Sequence, residues 1–167
     1  MSIYTRKGDV GTTLLYGNVR VEKNDPSIEF YGNIDELSAS LGIVRAEGLP
    51  PQFETIILRV QQELITFCTE ITSDPAKTDS VKIAPSHIRQ LEIEIDGIES
   101  ALPPLRQFVI PGENRVSATL HLSRTVCRRA ERSLVALFHT RDKKPLLIAY
   151  LNRLSDLLFV MARKVCE

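Results

Sequence analysis

Tryptophan is absent from this 167-residue chain, and aromatic residues together make up only 6% of it. Cysteine occurs at Cys68, Cys127 and Cys166 only, an odd number without metal-ligand spacing. That excludes a disulfide framework and predicts reduced thiols in a cytoplasmic protein. Histidine is as scarce: His87, His121 and His139 are scattered and no Glu-x-x-His occurs, which argues against the di-iron chemistry that many helical bundles host. An isolated histidine such as His121 reads as a structural or solvated residue. No G-x-S-x-G elbow, C-x-x-C pair or G-x-x-x-x-G-K-[ST] loop is present. No run reaches the roughly 18 apolar residues of a membrane span, and Met1 to Lys7 lack the apolar stretch of a secretion signal. No charge sign is in excess, with 21 Lys+Arg against 21 Asp+Glu, so the overall field would hold neither nucleic acid nor an anionic membrane. A local charged site remains open.

Apolar residues are plentiful, 43% of the chain, and they are periodic. A chain of this length predicts a single domain, burying about 70% of its unfolded surface without a staple. Five stretches show helical spacing. The first follows Asp25-Pro26 with Ile34, Leu37, Leu41 and Val44; the second follows Pro50-Pro51 with Phe53, Ile57, Val60, Leu64, Phe67 and Ile71. The third follows Pro85, with Ile88, Leu91, Ile95, Ile98 and Leu102. The fourth follows Pro111-Gly112 from Val116 to Leu137, and the fifth follows Pro145 from Leu147 to Val165. Alternating steps of three and four put each set on one stripe, and the prolines stand where helices start. The class is all-α: an antiparallel five-helix bundle joined by short loops, over residues 25–167. The exception is Asp74–Ala84, a longer polar connection predicted to be mobile.

Residues 1–24 do not fit the bundle. They combine Gly8, Gly11 and Gly17 with Thr5, Thr12, Thr13, Arg6, Lys7, Arg20 and Lys23, and apolar residues flanking Gly17-Asn18 suggest a hairpin. A lone two-stranded ribbon is marginal, so it must lean on something else. Glycine backbone N–H groups, threonine hydroxyls and basic side chains suit an anion, phosphate above all. The same composition also suits an ordinary polar N-terminal arm.

Three further sets stand out. Arg124, Arg128 and Arg132 lie at i, i+4 and i+8, beside Ser117, His121 and Glu131. Like charges at that spacing cost about 0.2–0.5 kcal/mol per pair on an isolated helix, and Glu131 is placed to offset part of that through Arg128. The stripe is either a solvated face or an arginine wall for a phosphate chain. Asn152 and Asp156 are i,i+4 beside the apolar stripe of the fifth helix, and Asp35 sits next to core position Ile34, free to face an arginine on another helix or subunit.

Together these pieces resemble the PduO-type ATP:cob(I)alamin adenosyltransferases. The matching stretches are Tyr4 to Thr13, Asp25-Pro26 with Tyr31 to Leu37, Phe108 to Gly112, Arg124 to Arg132, and Tyr150 to Asp156. The resemblance implies a homotrimer that moves the 5′-deoxyadenosyl group of ATP onto the cobalt of reduced cobalamin, releasing triphosphate. It implies that Thr5, Arg6, Lys7, Gly8, Thr13 and Lys23 wrap the triphosphate, while Arg128, Glu131, Arg132 and Asn152 come from the adjacent subunit. Arg124 and Asp35 match a pair linking two subunits near the reaction, and Phe108 matches an aromatic beside the corrinoid. Mg²⁺ is expected on the phosphates, and a reductase or a cobalamin-dependent enzyme as partner. Val10 replaces a lysine common in the family, and Glu113 replaces a glycine. The chain stops at Glu167, where some relatives extend over the corrinoid site. An ATP sensor without corrinoid chemistry, or a purely structural bundle, would share some of these features.

Overall fold

The computed structural model describes residues 4, 6–15, 19–72, 82–138 and 144–167. Two short strands, β1 (Thr12–Leu14) and β2 (Arg20–Glu22), precede five helices: α1 (Pro26–Ala46), α2 (Pro51–Thr72), α3 (Pro85–Glu99), α4 (Arg115–Leu137) and α5 (Pro145–Lys164). Four helices begin at a proline, whose missing N–H costs nothing in the first turn. The Asp25 carboxylate caps α1, accepting the Ser27 N–H at 2.8 Å. α4 starts differently from the sequence expectation. Asn114, not Pro111-Gly112, ends the preceding segment, its side-chain oxygen accepting the Ser117 N–H at 2.8 Å.

Side-chain pairs across the helices fix their directions. Glu47, just past the end of α1, meets Arg115 and Thr119 at the start of α4, whereas Asn33 near the start of α1 meets Ser133 near the end of α4. These two helices are therefore antiparallel. So are α4 and α5: Asn114, capping the start of α4, donates to the Val165 carbonyl at the end of α5, whereas Cys127 further along α4 meets Leu151 near the start of α5. α2 and α3 are joined by Arg59 and Glu94 at 2.6 Å. α3 and α5 run the same way, as up-down order requires of elements two apart. One core cluster draws on all five helices. α5 lies at its centre with ten buried residues, among them Leu147, Leu151, Leu154 and Leu158. By length and composition α5 could cross a membrane, but its apolar side chains are consumed by the core.

From Tyr150 in this core a polar chain runs outward to half-buried charges. The Tyr150 hydroxyl donates to Glu63 Oε2 at 2.6 Å, Glu63 pairs with Arg59 at 2.5 Å, and Arg59 reaches Glu94. Burial, and then the Glu63 carboxylate, push the Tyr150 hydroxyl well above its usual range.

Two connections depart from expectation. α3 ends at Glu99, so Leu102 belongs to the turn beyond it, although it still packs against the core. The segment from Ser100 to Asn114 is irregular for fifteen residues, not a short loop. Pro103, Pro104 and Pro111 deny it helical hydrogen bonding. Of the connection expected to be mobile, residues 74–81 lie outside the described residues. Its end is fixed: Ile83 is buried and its N–H donates to Glu70 at 2.9 Å.

Candidate functional site

The N-terminal basic residues are gathered by a tight turn. Asp9 N–H donates to the Arg6 carbonyl and Gly11 N–H to the Gly8 carbonyl, both at 3.3 Å. Gly11 has φ of +87°, a conformation glycine adopts without strain. Arg6 has φ of +59°, unusual for a residue with a Cβ and of the kind that clusters at binding sites. The chain then pairs as β1 with β2, Thr12 opposite Glu22, Thr13 opposite Val21 and Leu14 opposite Arg20. This pairing returns Lys23 to the turn. A Cβ on Gly8 would stand 3.3 Å from the Thr12 carbonyl oxygen and 3.5 Å from Lys23 Nζ, so glycine there leaves room for the lysine. Arg20 is used differently: it donates to Thr12 Oγ1 at 2.7 Å and bolts the hairpin together. Thr5 and the hairpin tip at 16–18 lie outside the described residues.

The hairpin leans on α1 and α2, as its marginal size demanded. Leu14 and Leu15 line a cleft of about 470 Å³ with Ile28, Ile34 and Leu64. Asp35 and Cys68 share it. Burial, then the Asp35 carboxylate, push the Cys68 thiol up to about 12. Asp35 itself is exposed and makes no ion pair among the described residues.

The arginine stripe of α4 divides in a way the sequence did not resolve. Arg128 and Arg132 are exposed, with no hydrogen bond or ion pair among the described residues. Glu131 does not pair with Arg128; it accepts from Asn152 Nδ2 of α5 at 3.4 Å. Arg129, between them in sequence, points about 100° away around the helix, pairs with Glu36 and donates to Asn33 Oδ1 at 2.8 Å. Asp156 is engaged by Arg153 at 3.0 Å, not by Asn152. Arg124 is half-buried, its guanidinium 6.0 Å from the Phe159 ring centroid and its Nε without a hydrogen-bond partner among the described residues. Ser117 and His121, expected on the same polar stripe, are buried.

Phe108 is 98% exposed, at the centre of the irregular segment. It lines an open groove of about 970 Å³ with Leu105, Ile110, Ser117 and Arg163. Sequence reading singled out Phe108 but missed the groove. Its signal was the cluster Leu102-Pro103-Pro104-Leu105, apolar yet neither helical nor alternating.

One chain thus carries three separate parts: the basic turn, the Arg128–Asn152 face and the Phe108 groove. Among the described residues no hydrogen bond or ion pair joins the segment 6–23 to α4. Two unlinked basic surfaces with unpaired guanidinium and ammonium groups suit a polyanion that touches both.

Known proteins share this fold. The family profile described as cobalamin adenosyltransferase matches residues 3–165. The corrinoid adenosyltransferase PduO of Citrobacter freundii is 39% identical over 98% of this chain, which spans about half (49%) of that longer relative. A second Citrobacter freundii protein, a corrinoid adenosyltransferase, is 41% identical over 96% of this chain and 93% of its own length. A phenylalanine variant of the PduO-type ATP:corrinoid adenosyltransferase from Lactobacillus reuteri, solved with cobalamin and ATP, superposes with a TM-score of 0.90 at 29% identity, covering 99% of this chain and 93% of that one. The chain belongs to the cobalamin adenosyltransferase family.

Proposed function

We propose that this protein is an ATP:cob(I)alamin adenosyltransferase that works as a homotrimer, with each nucleotide shared between two subunits. The observation that carries the reading is the pair Arg128 and Arg132, exposed and unpaired among the described residues beside the Glu131–Asn152 contact, while no bond from the described basic turn reaches them. A second copy brings a basic turn to an arginine face. Asp35 and Arg124, each without an ion-pair partner among the described residues, then meet across the boundary.

The reaction needs no activated protein nucleophile. Cobalt(I) of the corrinoid substrate supplies the electron pair that forms the Co–C5′ bond. The C5′–O bond breaks, and its electrons leave with triphosphate. The protein's task is to hold that leaving group and stabilise its growing charge. Arg6, Lys7 and Lys23 from one subunit, and Arg128 and Arg132 from the next, are assigned to the phosphates. Gly8 offers its backbone N–H, the Gly11 N–H being held by the Gly8 carbonyl, and Thr5 and Thr13 add hydroxyls. Asn152 and Glu131 offer a donor and an acceptor to the nucleoside end. Mg²⁺ is assigned to the phosphate oxygens, since this ion keeps several of its waters and binds substrate phosphates in preference to an all-protein cage. Phe108 supplies an apolar wall that keeps water from the corrinoid's lower face, and holding C5′ against cobalt supplies the remainder. The setting is the cytoplasm, with a reductase supplying Co(I) and a cobalamin-dependent enzyme consuming the product.

Incubation with Mg-ATP and chemically reduced cobalamin tests this. Light-sensitive adenosylcobalamin absorbance is expected. ATP binding without that product would support a nucleotide sensor instead. A structural bundle would show no rise in melting midpoint with Mg-ATP, whereas specific binding at 100 times Kd adds about 2.7 kcal/mol.

A further inference from the structure

His121 is assigned no role in the proposed site. It is 3% exposed, and neither Nδ1 nor Nε2 has a hydrogen-bond partner among the described residues. Its ring meets Phe159 of α5 edge-on, with centroids 6.0 Å apart and planes at 60°. One turn further along α4, Arg124 lays its guanidinium over the same ring at 6.0 Å. Both the Arg124 Nε and the imidazole nitrogens are buried and unpaired. One aromatic ring therefore organises two polar groups that nothing else in the described chain holds.

The position of this trio matters. Ser117 lines the Phe108 groove, and Arg128 lies on the nucleotide face. Eleven residues of helix separate them, about 16 Å along the axis. His121 and Arg124 fall between the two. A guanidinium stacked on a ring keeps a fixed plane, and its free Nη edge then presents paired donors to a carboxylate. A second cation beside it would undo this. Burial, and then the Arg124 charge, push the His121 imidazole below its usual pKa, which keeps it neutral.

We propose that His121 and Phe159 form an uncharged seat that positions Arg124 for a carboxylate of a second copy of the chain. Both are positioning residues, and the proposal rests on the reading above that Arg124 works at a subunit boundary. The test is a double-mutant cycle of Phe159→Leu with Arg124→Ala, read as subunit assembly by sedimentation and as kcat and KM for adenosyl transfer. Phe159→Leu should weaken assembly or transfer roughly 2- to 30-fold, the range of a cation–π contact. In the Arg124→Ala background it should do nothing further. His121→Phe should restore what His121→Ala loses, because an aromatic edge and not a titrating nitrogen is required. Should Phe159→Leu fail to fold, Phe159→Met carries the same cycle. Additive effects in the double variant, a His121→Ala chain equal to wild type, or a wild type that stays monomeric would each overturn the seat. Absence of adenosylcobalamin from an assembled wild type would instead overturn the enzymatic reading, and the assembly cycle would still judge the seat.

Discussion

Replacing Arg128 and Arg129 one at a time should separate function from folding, although the two residues are adjacent. Arg129 Nε donates at 2.8 Å to Oδ1 of Asn33, which is only 4% exposed. Truncating it to alanine leaves that oxygen buried without its donor, at a cost of about 1–3 kcal/mol. Loss of the half-exposed pair with Glu36 adds little, about 0.2–1 kcal/mol. A total near 2 kcal/mol lowers the melting midpoint by roughly 4–8 °C in a domain of this size. Arg128 is exposed and unpaired among the described residues, so Arg128→Ala should change stability by less than about 0.5 kcal/mol. Yet it should slow adenosyl transfer by about 100- to 1000-fold, the loss seen when one donor to a developing anion is removed. Circular-dichroism melts without nucleotide, and adenosylcobalamin formation at a temperature where both variants are folded, measure the two quantities. An Arg129→Ala protein as stable as wild type, or an Arg128→Ala protein of normal turnover, would refute the division.

Three other outcomes follow from buried groups. Tyr150→Phe removes a 2.6 Å hydrogen bond to a carboxylate and should cost about 1.5–3 kcal/mol in urea unfolding, with little change in denaturant slope. His121 has a depressed pKa in the fold, so its contribution is fully present above about 6.5, the unfolded value, and is lost as pH falls below it. The His121→Phe variant should show a flatter stability profile between about pH 5 and 7. Cys68, held protonated up to about 12, should react with iodoacetamide at pH 8 far more slowly in the fold than in denaturant, and its stabilising contribution should fade as pH rises toward that value.

The helices were legible because burial imposes a period. Ile57, Val60, Leu64 and Phe67 are all buried, as their spacing requires, and proline marked four helix starts. The start of α4 was blurred because Gly112 and Asn114 both signal an end to irregular chain, and only Asn114 caps. The length of the 100–114 segment was missed because Leu102 falls in phase with the α3 stripe although the helix has stopped. The arginines show the limit more sharply. Arg128 and Arg129 are the same residue type, one position apart, and only the partner helix decides their use: α1 presents Asn33 and Glu36 to one of them. The same holds for Arg20, read as part of a basic arm but tied to Thr12. Residues 6–23 and Arg128 were placed in one site by resemblance alone. A fold of a single chain leaves them on separate surfaces.

α3 is attached unlike the other helices. Leu91 is its one fully buried residue, Ile88, Ile95 and Ile98 pack half-buried against the core, and ion pairs to Arg59 and Arg153 add to them. Such contacts weaken with salt, whereas burial of α5 does not. Amide protons of α3 should therefore exchange with solvent through a partial opening, faster at high ionic strength, while those of α5 wait for global unfolding. Because Ser100 to Asn114 continues directly from α3, that opening would widen the groove around Phe108 and leave the arginine face of α4 standing. A bulky ring could then enter on one side of the molecule without disturbing a nucleotide already seated on the other.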